Sequence, residues 1–392
     1  MKRLFFYLVF LFSVGFLTAQ KPSLTKAYNL YYEKDFEKAK TAIDLCIADE
    51  KMQSKAQTWL YKGNIYLWLS NQEYAEKQQN GTYEIRYPDA PEQAFDAFAK
   101  AKELNRKIES YEMFPPDTGM AKLYVLLYIQ GVDLLVNKDY TRAEQVFAKA
   151  VRGYEMGVPE HPLKGELYYY YAYTLEMLQR PEEATSLYEK AIADGSTNPQ
   201  VYIRLIEYQK QHQPSAVPAL LTAAKKAAPS HPHIFVAEAD YYWDIDKEKA
   251  IDLLDHLPQE VYKDPDALVN AANIYIKADN YTRAEILLKK ANALNPNHFV
   301  IVYNLGYCYL KLYEDTRNEI GDLAAKGKFE NINELKNKSN GYLSSAEMYF
   351  EKAWQMEPND LKLMEQLREI YARGYSPKLE DMQKRINEIK NK

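Results

Sequence analysis

The sequence predicts an all-α protein in which helix–turn–helix repeats stack into a solenoid. The stretches "DYTRAEQVFAKA" at 139–150 and "NYTRAEILLKKA" at 280–291 are nearly identical. In both, an alanine is followed four positions later by a bulky residue and three positions after that by a small one. This spacing places the three residues on one face of an α-helix. A motif that returns along one chain indicates a repeat architecture.

Further copies of this motif align on the same alanine. The aligned residues are Ala39, Ala94, Ala143, Ala184, Ala250, Ala284 and Ala346. The bulky residues four positions later are Ile43, Phe98, Phe147, Tyr188, Leu254, Leu288 and Phe350. Copies that are not separated by an insertion recur about every 34 residues, the length of one helix pair in a repeat protein.

A second predicted helix precedes most copies and carries a small residue near its middle. These small residues are Gly63, Gly131, Ala172, Ala272 and Gly306. A glycine inside a helix costs roughly 0.5–1 kcal/mol relative to alanine, so its recurrence needs a cause. We therefore predict that a neighbouring helix crosses at this point, where a larger side chain would not fit.

This pattern resembles the tetratricopeptide repeat family, in which Leu-Gly, Tyr, Ala, Phe, Ala and Pro recur at fixed positions. The clearest copy is 268–296, and the copy at 201–229 departs most because Pro214 and Pro218 stand at the start of its second helix. The resemblance implies a right-handed superhelical solenoid of about eight repeats over 20–375. A final helix at 376–392 is predicted to cap the stack, because terminal repeats need a polar outer face.

Four insertions interrupt the predicted period, at 70–91, 107–121, 153–164 and 313–341. They are either tolerated surface insertions or, for 70–91 and 313–341, segments that cap the groove edges and select partners. The last insertion contains helical stretches that would lengthen the two flanking helices instead of forming a loop.

The N-terminal stretch "MKRLFFYLVFLFSVGFLTAQ" predicts export. Lys2 and Arg3 precede an apolar core at 4–17, which is too short to span a bilayer and has the layout of a cleaved signal peptide. We predict a signal over 1–19 with cleavage after Ala19; cleavage after Gly15 and an uncleaved anchor are the alternatives. No later stretch is read as transmembrane. The predicted location is the bacterial periplasm, with secretion or outer-membrane association as alternatives.

Composition and motifs argue against several other classes of protein. The net charge of −5 becomes −7 when Lys2 and Arg3 leave with the signal, which disfavours a nucleic-acid binder. Neither a phosphate-binding loop nor a nucleophile or zinc motif is present, so we predict no enzyme activity, no cofactor and no metal site. The two cysteines, Cys46 and Cys308, lie in distant repeats and are interpreted as buried thiols, not a disulfide.

Tyrosine is abundant, with 35 residues, and marks the candidate binding surface. The stripe of the first helices that lines the concave face in the family carries many aromatic residues, and aromatic side chains with a polar end are favoured at interfaces. The alternative is that packing buries them. The predicted partner-binding aromatic residues are Tyr28, Tyr31, Tyr32, Trp68, Tyr128, Tyr169, Tyr173, Tyr303 and Tyr307.

Two asparagines, Asn64 and Asn273, match the family position that contributes to a Lys/Asn clamp for C-terminal carboxylates. The clamp's lysine positions hold Leu24, Leu60, Tyr128 and Tyr169 instead. We therefore expect these asparagines to hydrogen-bond an extended peptide backbone. The leading prediction is a non-enzymatic scaffold that binds a protein or extended peptide of the cell envelope. A carbohydrate-binding protein and a homo-oligomeric structural element are the alternatives, and the oligomeric state is left open.

Overall fold

The computed structural model describes residues 21–156, 163, 165–328, 330 and 332–390. Over these residues it contains α-helices, two short 3-10 helices and no strand. The predicted signal at 1–19 and most of the 153–164 insertion lie outside the described residues. The α-helices are α1 (Leu24–Tyr32), α2 (Phe36–Ile47), α3 (Glu50–Gln53), α4 (Ala56–Gln79), α5 (Ala90–Leu104), α6 (Pro116–Val136), α7 (Tyr140–Glu155), α8 (Glu166–Met177), α9 (Pro181–Ala193), α10 (Pro199–His212), α11 (Val217–Ala227), α12 (Pro232–Trp243), α13 (Lys247–Asp255), α14 (Pro265–Lys277), α15 (Tyr281–Leu294), α16 (Phe299–Ala325), α17 (Ile332–Met356), α18 (Leu361–Arg373) and α19 (Leu379–Lys390).

Most of these helices form successive pairs, and this confirms the predicted all-α repeat fold. The pairs are α1/α2, α4/α5, α6/α7, α8/α9, α10/α11, α12/α13, α14/α15 and α16/α17, followed by α18 and α19. The helices belong to two compact units, which are described separately below. Unit 1 ends at Ala191 and unit 2 begins at Ile192.

The turn inside a repeat explains why the polar residue before the motif recurs. Asp139 caps α7 by accepting a hydrogen bond from the backbone N–H of Arg142, and Asn280 does the same for Arg283 at the start of α15. The residue just before each cap takes a left-handed conformation, with φ of 62° at Lys138 and 55° at Asp279. A left-handed residue followed by a capping side chain ends one helix and begins the next within a few residues.

The predicted close approach of the two helices is confirmed at the recurring glycines. A Cβ on Gly63 would lie 2.7 Å from the ring of Phe98, and one on Gly131 would lie 2.6 Å from the ring of Phe147. At Gly306 the corresponding distance, to Phe350, is 3.0 Å. Each ring therefore occupies the space that a side chain on the facing glycine would need.

The sequence analysis predicts that no segment after the signal is apolar enough to span a membrane. This prediction is wrong for one helix, which is long and apolar enough by length and composition alone. Helix α6 has 21 residues and includes a stretch of 18 with a mean hydropathy of 1.4. Half of that stretch is buried inside the structure, and α6 packs against α5 and α7. This placement is that of a core helix in a repeat pair.

Two insertions mostly extend helices. The first ten residues of the 70–91 insertion complete α4, and only 80–89 form a loop before α5. The 313–341 insertion continues α16 to Ala325 and starts α17 at Ile332, which leaves a short connection between two long helices. The insertion at 107–121 is divided between a connecting segment and the start of α6.

The loop at 80–89 is held to α4 by a buried carboxylate. The Glu73 side chain is 1% exposed and accepts hydrogen bonds from the Tyr83 hydroxyl at 2.7 Å and the Arg86 backbone N–H at 2.6 Å. The Arg86 guanidinium also donates to Glu73 at 2.6 Å and reaches Glu37 on α2 at 2.6 Å. One charged group thus fixes the loop to two helices of unit 1.

Both cysteines are buried and free. Burial raises the pKa of the Cys308 thiol to about 12, so this thiol stays protonated near neutral pH. This state agrees with the prediction of two unbonded thiols.

Candidate functional site

The predicted aromatic surface of unit 1 begins with a cluster around Trp68. The Trp68 indole N–H donates to the Tyr31 hydroxyl at 3.1 Å, and its ring lies parallel to the ring of Phe36 at a centroid distance of 6.1 Å. Phe114 stacks on Trp68 at 6.4 Å. Tyr31 is only 9% exposed, whereas Trp68 retains 39%. The cluster joins α1, α2 and α4 to the residues just before α6.

Asn64 lies in the same place and is already bound to the chain itself. Its side-chain Nδ2 donates to the Phe114 carbonyl at 3.0 Å, and its Oδ1 accepts from the Phe114 backbone N–H at 2.8 Å. Asn64 is fully buried. The Tyr31 hydroxyl, 3.4 Å from the Glu112 carbonyl, donates to the same stretch of backbone. We name residues 107–115 the covering segment, because they lie over this part of unit 1.

The two other predicted residues on α1 differ in exposure. Tyr32 is 63% exposed. Tyr28 is partly buried, and its ring lies 5.6 Å from that of Tyr61 on α4. The pKa of Tyr28 is raised, first by loss of hydration and then by the Glu112 carboxylate, which belongs to the covering segment. Tyr28 therefore lies beside this segment, and Tyr32 faces solvent.

The three remaining predicted residues of unit 1 form one aromatic cluster between α6 and α8. Tyr169 stacks on Tyr173 at 6.4 Å and contacts Tyr170 at 5.0 Å, while Tyr128 meets Tyr170 edge-on at 5.7 Å. Tyr169 also lies 6.2 Å from Tyr188, a buried residue of α9. Burial raises the pKa of Tyr128 to about 12. The structure brings these tyrosines together half-buried, so packing accounts for part of the stripe.

In unit 2, the predicted aromatic residues pack on the core. Tyr303 meets the buried ring of Phe350 edge-on at 5.5 Å, and Tyr307 meets Tyr281 at 6.3 Å. Both are partly buried against the hydrophobic cluster of this unit. This placement favours the alternative in which Tyr303 and Tyr307 are packing residues.

Asn273 lies instead in a polar groove of about 270 Å³ in unit 2. The groove is lined by α10, α12 and α14, which each contribute four residues at the same spacing: Ile203, Ile206, Glu207 and Lys210; His233, Val236, Ala237 and Asp240; Asn270, Asn273, Ile274 and Lys277. This spacing defines one face of each helix.

A line of alternating charges crosses this groove. The Lys210 ammonium lies 2.7 Å from the Asp240 carboxylate, and the Lys277 ammonium lies 2.8 Å from the other oxygen of Asp240. Burial alone would raise the pKa of Asp240, but the hydrogen bonds from Lys210 and Lys277 outweigh it and hold that pKa below its usual value. Asp240 is therefore ionised near neutral pH. The three side chains give the groove a charged surface.

Amide groups complete the groove. The Asn304 Nδ2 donates to the Asn273 Oδ1 at 3.0 Å, which leaves the Asn273 Nδ2 with no bonding partner among the described residues. Asn270 is exposed at the groove surface. An asparagine side chain offers one acceptor and two donor hydrogens, the complement of a backbone peptide group. The groove can therefore bind a polar, extended chain.

The sequence analysis predicted a binding role for Asn273 but not for Lys210, Asp240 and Lys277. A usable signal was present, because the three residues stand at the same helical position of successive first helices. A charged residue that alternates in sign at a repeated inner position predicts a line of ion pairs across neighbouring helices. The tyrosine count drew attention to a different stripe.

Comparisons with known proteins agree with the repeat geometry. A family model described as Tetratricopeptide repeat matches residues 128–199. No curated protein matches the chain. The match, the alignable copies, the helix pairs and the glycine–phenylalanine crossings all agree with a fold built from tetratricopeptide repeats. Proteins of this fold are generally non-catalytic scaffolds that bind protein or peptide partners.

Solved structures similar to this chain share little sequence with it. Yeast Tom70 is 11% identical, with 93% of this chain and 91% of that one covered and a TM-score of 0.48. YrrB, described as a TPR protein with an unusual peptide-binding site, is 17% identical over 66% of this chain and 95% of its own, with a TM-score of 0.30. The C-terminal part of a TPR repeat-containing protein from Cytophaga hutchinsonii is 13% identical over 82% and 95%, with a TM-score of 0.39.

Proposed function

We propose that the protein is a non-enzymatic scaffold of the bacterial cell envelope that binds an extended segment of a partner protein in the groove of unit 2. The observation that carries this proposal is the amide and charge arrangement on α10, α12 and α14. Asn270 and Asn273 offer hydrogen bonds that match a peptide backbone, and the Lys210–Asp240–Lys277 line supports polar side chains of the partner.

The same chain supplies an internal example of this recognition. In unit 1, Asn64 bonds both the N–H and the C=O of Phe114. An asparagine on the first helix of a repeat thus holds one residue of an extended segment through its backbone. Asn273 stands on the first helix of its own repeat, as Asn64 does. Backbone bonds of this kind give affinity without fixing the partner's side chains, as in other modes of extended-peptide recognition.

A photocrosslinking experiment tests the proposed groove. A photoreactive amino acid placed at Asn270 should form a covalent adduct with a partner protein in intact cells. The same group at Ile286, which is 50% exposed on the second helix α15, is the matched control and should not. Adding Asn273→Ala should lower the adduct yield at position 270 about 5–30-fold, as expected for the loss of roughly 1–2 kcal/mol of hydrogen bonding. Adducts at 286 alone would place the contact surface outside the groove.

The envelope location rests on the predicted signal peptide. We expect protein isolated from cells to begin at Gln20 or within a few residues of it, because Ala19 provides the small residue that signal cleavage requires. N-terminal sequencing of the purified protein measures this directly. An intact Met1 would contradict export through a cleaved signal, and the groove experiment would then need a different cellular fraction.

A further inference from the structure

We propose that the covering segment, residues 107–115, is an intramolecular ligand of unit 1, which a partner peptide with the same backbone and aromatic contacts displaces. This site is separate from the proposed groove of unit 2. It comprises Asn64, Tyr31 and Trp68, with Lys122 on α6. Asn64, Tyr31 and Trp68 were expected from the sequence to contact a partner. In the structure Asn64 and Tyr31 bond to the backbone of the covering segment, and Trp68 stacks on the Phe114 ring.

The contacts have the character of peptide recognition. Asn64 bonds both backbone groups of one residue, Phe114, and this requires an extended chain but no particular side chain. The side-chain preference comes from the Phe114 ring, which stacks on Trp68 and has the Lys122 ammonium 4.7 Å from its centroid. An aromatic ring between an indole and a cation gains from stacking and from the cation–π interaction.

The sequence around Phe114 keeps this segment extended. Pro115 follows directly, and a residue before proline is biased away from the helical region towards extended backbone. Pro115 is also the N-cap of α6, so the helix itself begins after the contact and does not depend on it. A partner segment could make the same contacts if it carried an aromatic residue in extended backbone.

The covering segment is lightly attached. Met113 is buried and Ile108, Ser110 and Phe114 are partly buried, whereas Tyr111 is 80% exposed and Glu109 and Glu112 are also exposed. Glu112 takes a left-handed conformation, with φ of 59°. A glutamate rarely adopts this conformation, and release of the segment would relieve the strain. A few anchors and a strained backbone are what a displaceable segment requires.

Occupation from within the chain lowers the apparent affinity of an external peptide. A ligand that binds only the open form has its affinity reduced by the fraction of molecules that are open. If the covering segment is bound in nine molecules of ten or more, releasing it should tighten external binding about tenfold or more. A partner competes only when its own affinity or local concentration is high, so the covering segment sets a threshold for binding at unit 1.

A peptide-binding experiment on the full chain tests the proposal. The probe is a fluorescent peptide with the sequence of residues 107–116, KIESYEMFPP, followed by anisotropy. The double variant Met113→Ser/Phe114→Ser removes both anchors and keeps the chain length and the prolines. It should bind the probe at least tenfold more tightly than the wild type. Adding Asn64→Ala should weaken binding at least tenfold, and adding Asn273→Ala, the matched control in unit 2, should not change it.

Two results would overturn the proposal. One is a folded double variant that binds the probe no more tightly than the wild type, and the other is binding that is insensitive to Asn64→Ala. Either would make the covering segment a permanent part of the fold. Because the control substitution affects only the groove of unit 2, failure here leaves the photocrosslinking test of that groove untouched.

Hydrogen exchange on the unaltered protein decides the question even if the double variant does not fold. The Phe114 amide is protected by its bond to Asn64. It should exchange by local opening, on the order of a hundredfold faster than the core amides of α6, as expected of a segment with few buried contacts. Exchange of the Phe114 amide at the same rate as those core amides would show that the segment leaves only on unfolding, and would refute the proposal.

Discussion

Replacing Phe98 by alanine should lower the free energy of unfolding of unit 1 by about 3–5 kcal/mol, the range for a fully buried phenylalanine. The Phe98 ring is 0% exposed and lies against the backbone of α4 at Gly63 and of α6 at Gly119. Neither glycine has a side chain that can move into the space left behind. The cavity will therefore persist, and the cost will lie towards the upper part of this range.

Urea unfolding of the purified chain, followed by circular dichroism, measures this effect. Leu104→Ala is the matched control, because it lies on the same helix, is 40% exposed and should cost less than about 0.5 kcal/mol. Hydrogen exchange should show the loss of protection concentrated in α4, α5 and α6, since damage in a repeat stack stays near its origin. A cost below about 1 kcal/mol would mean that the helix register given for unit 1 is incorrect.

The second large effect is expected at the Glu73–Arg86 contact. Arg86→Ala should cost about 2–4 kcal/mol, because it leaves a carboxylate that is 1% exposed without its counter-charge. The value is set below that of a fully buried pair because Arg86 itself is half exposed. Removing both groups in Glu73→Gln/Arg86→Ala should recover part of the loss. A double variant as unstable as the sum of the two single variants would show that the two groups are not coupled.

The same contact gives stability a pH dependence with a defined sign. Burial raises the pKa of Glu73, but the hydrogen bonds from Tyr83 and from the backbone and side chain of Arg86 outweigh it, so the net pKa lies below its usual value. The stabilisation is therefore present above the unfolded value of about 4.3 and is lost as the pH falls through the folded pKa. Glu73→Gln should flatten the stability profile in this acidic window. Glu84→Gln, an exposed change in the same loop, is the control. If the stability of the two variants depends on pH with equal slopes, Glu73 is not the group responsible for the pH dependence.

The sequence was sufficient to predict the repeat fold because most copies carry the same constraint, a small residue on one helix that faces a bulky side chain on the next. Gly63 and Gly306 each face a large ring four positions after the motif alanine, so the helix pairs and their crossing points could be assigned from spacing alone. The family model and the helix pairing confirm that assignment. Insertions were harder to interpret. The helical stretches of 313–341 could be recognised from the sequence, but 70–79, which completes α4, was predicted only as part of an insertion between two helices.

The binding surface could be predicted only in part. Asn64 and Asn273 were found because their family position is known, but sequence gives no sign that Asn64 would be used by Phe114, which is 50 residues away. Burial of aromatic residues also depends on neighbours from other helices. Tyr303 appears exposed on a helical wheel, yet its ring meets Phe350, a residue of the next helix. Contacts between segments that are distant in the sequence determine which aromatic residues of the stripe remain exposed.

The pairing of glycine and phenylalanine bears on how such a chain can grow. Gly131 and Phe147 stand on the two helices of one repeat, as do Gly306 and Phe350. A duplication that copies a whole helix pair therefore copies a complete contact, and the new repeat folds without waiting for a compensating change elsewhere. A duplication that copies a single helix would leave one ring or one glycine without its counterpart. Gene rearrangements that keep the helix pair intact are the ones such a protein can accept.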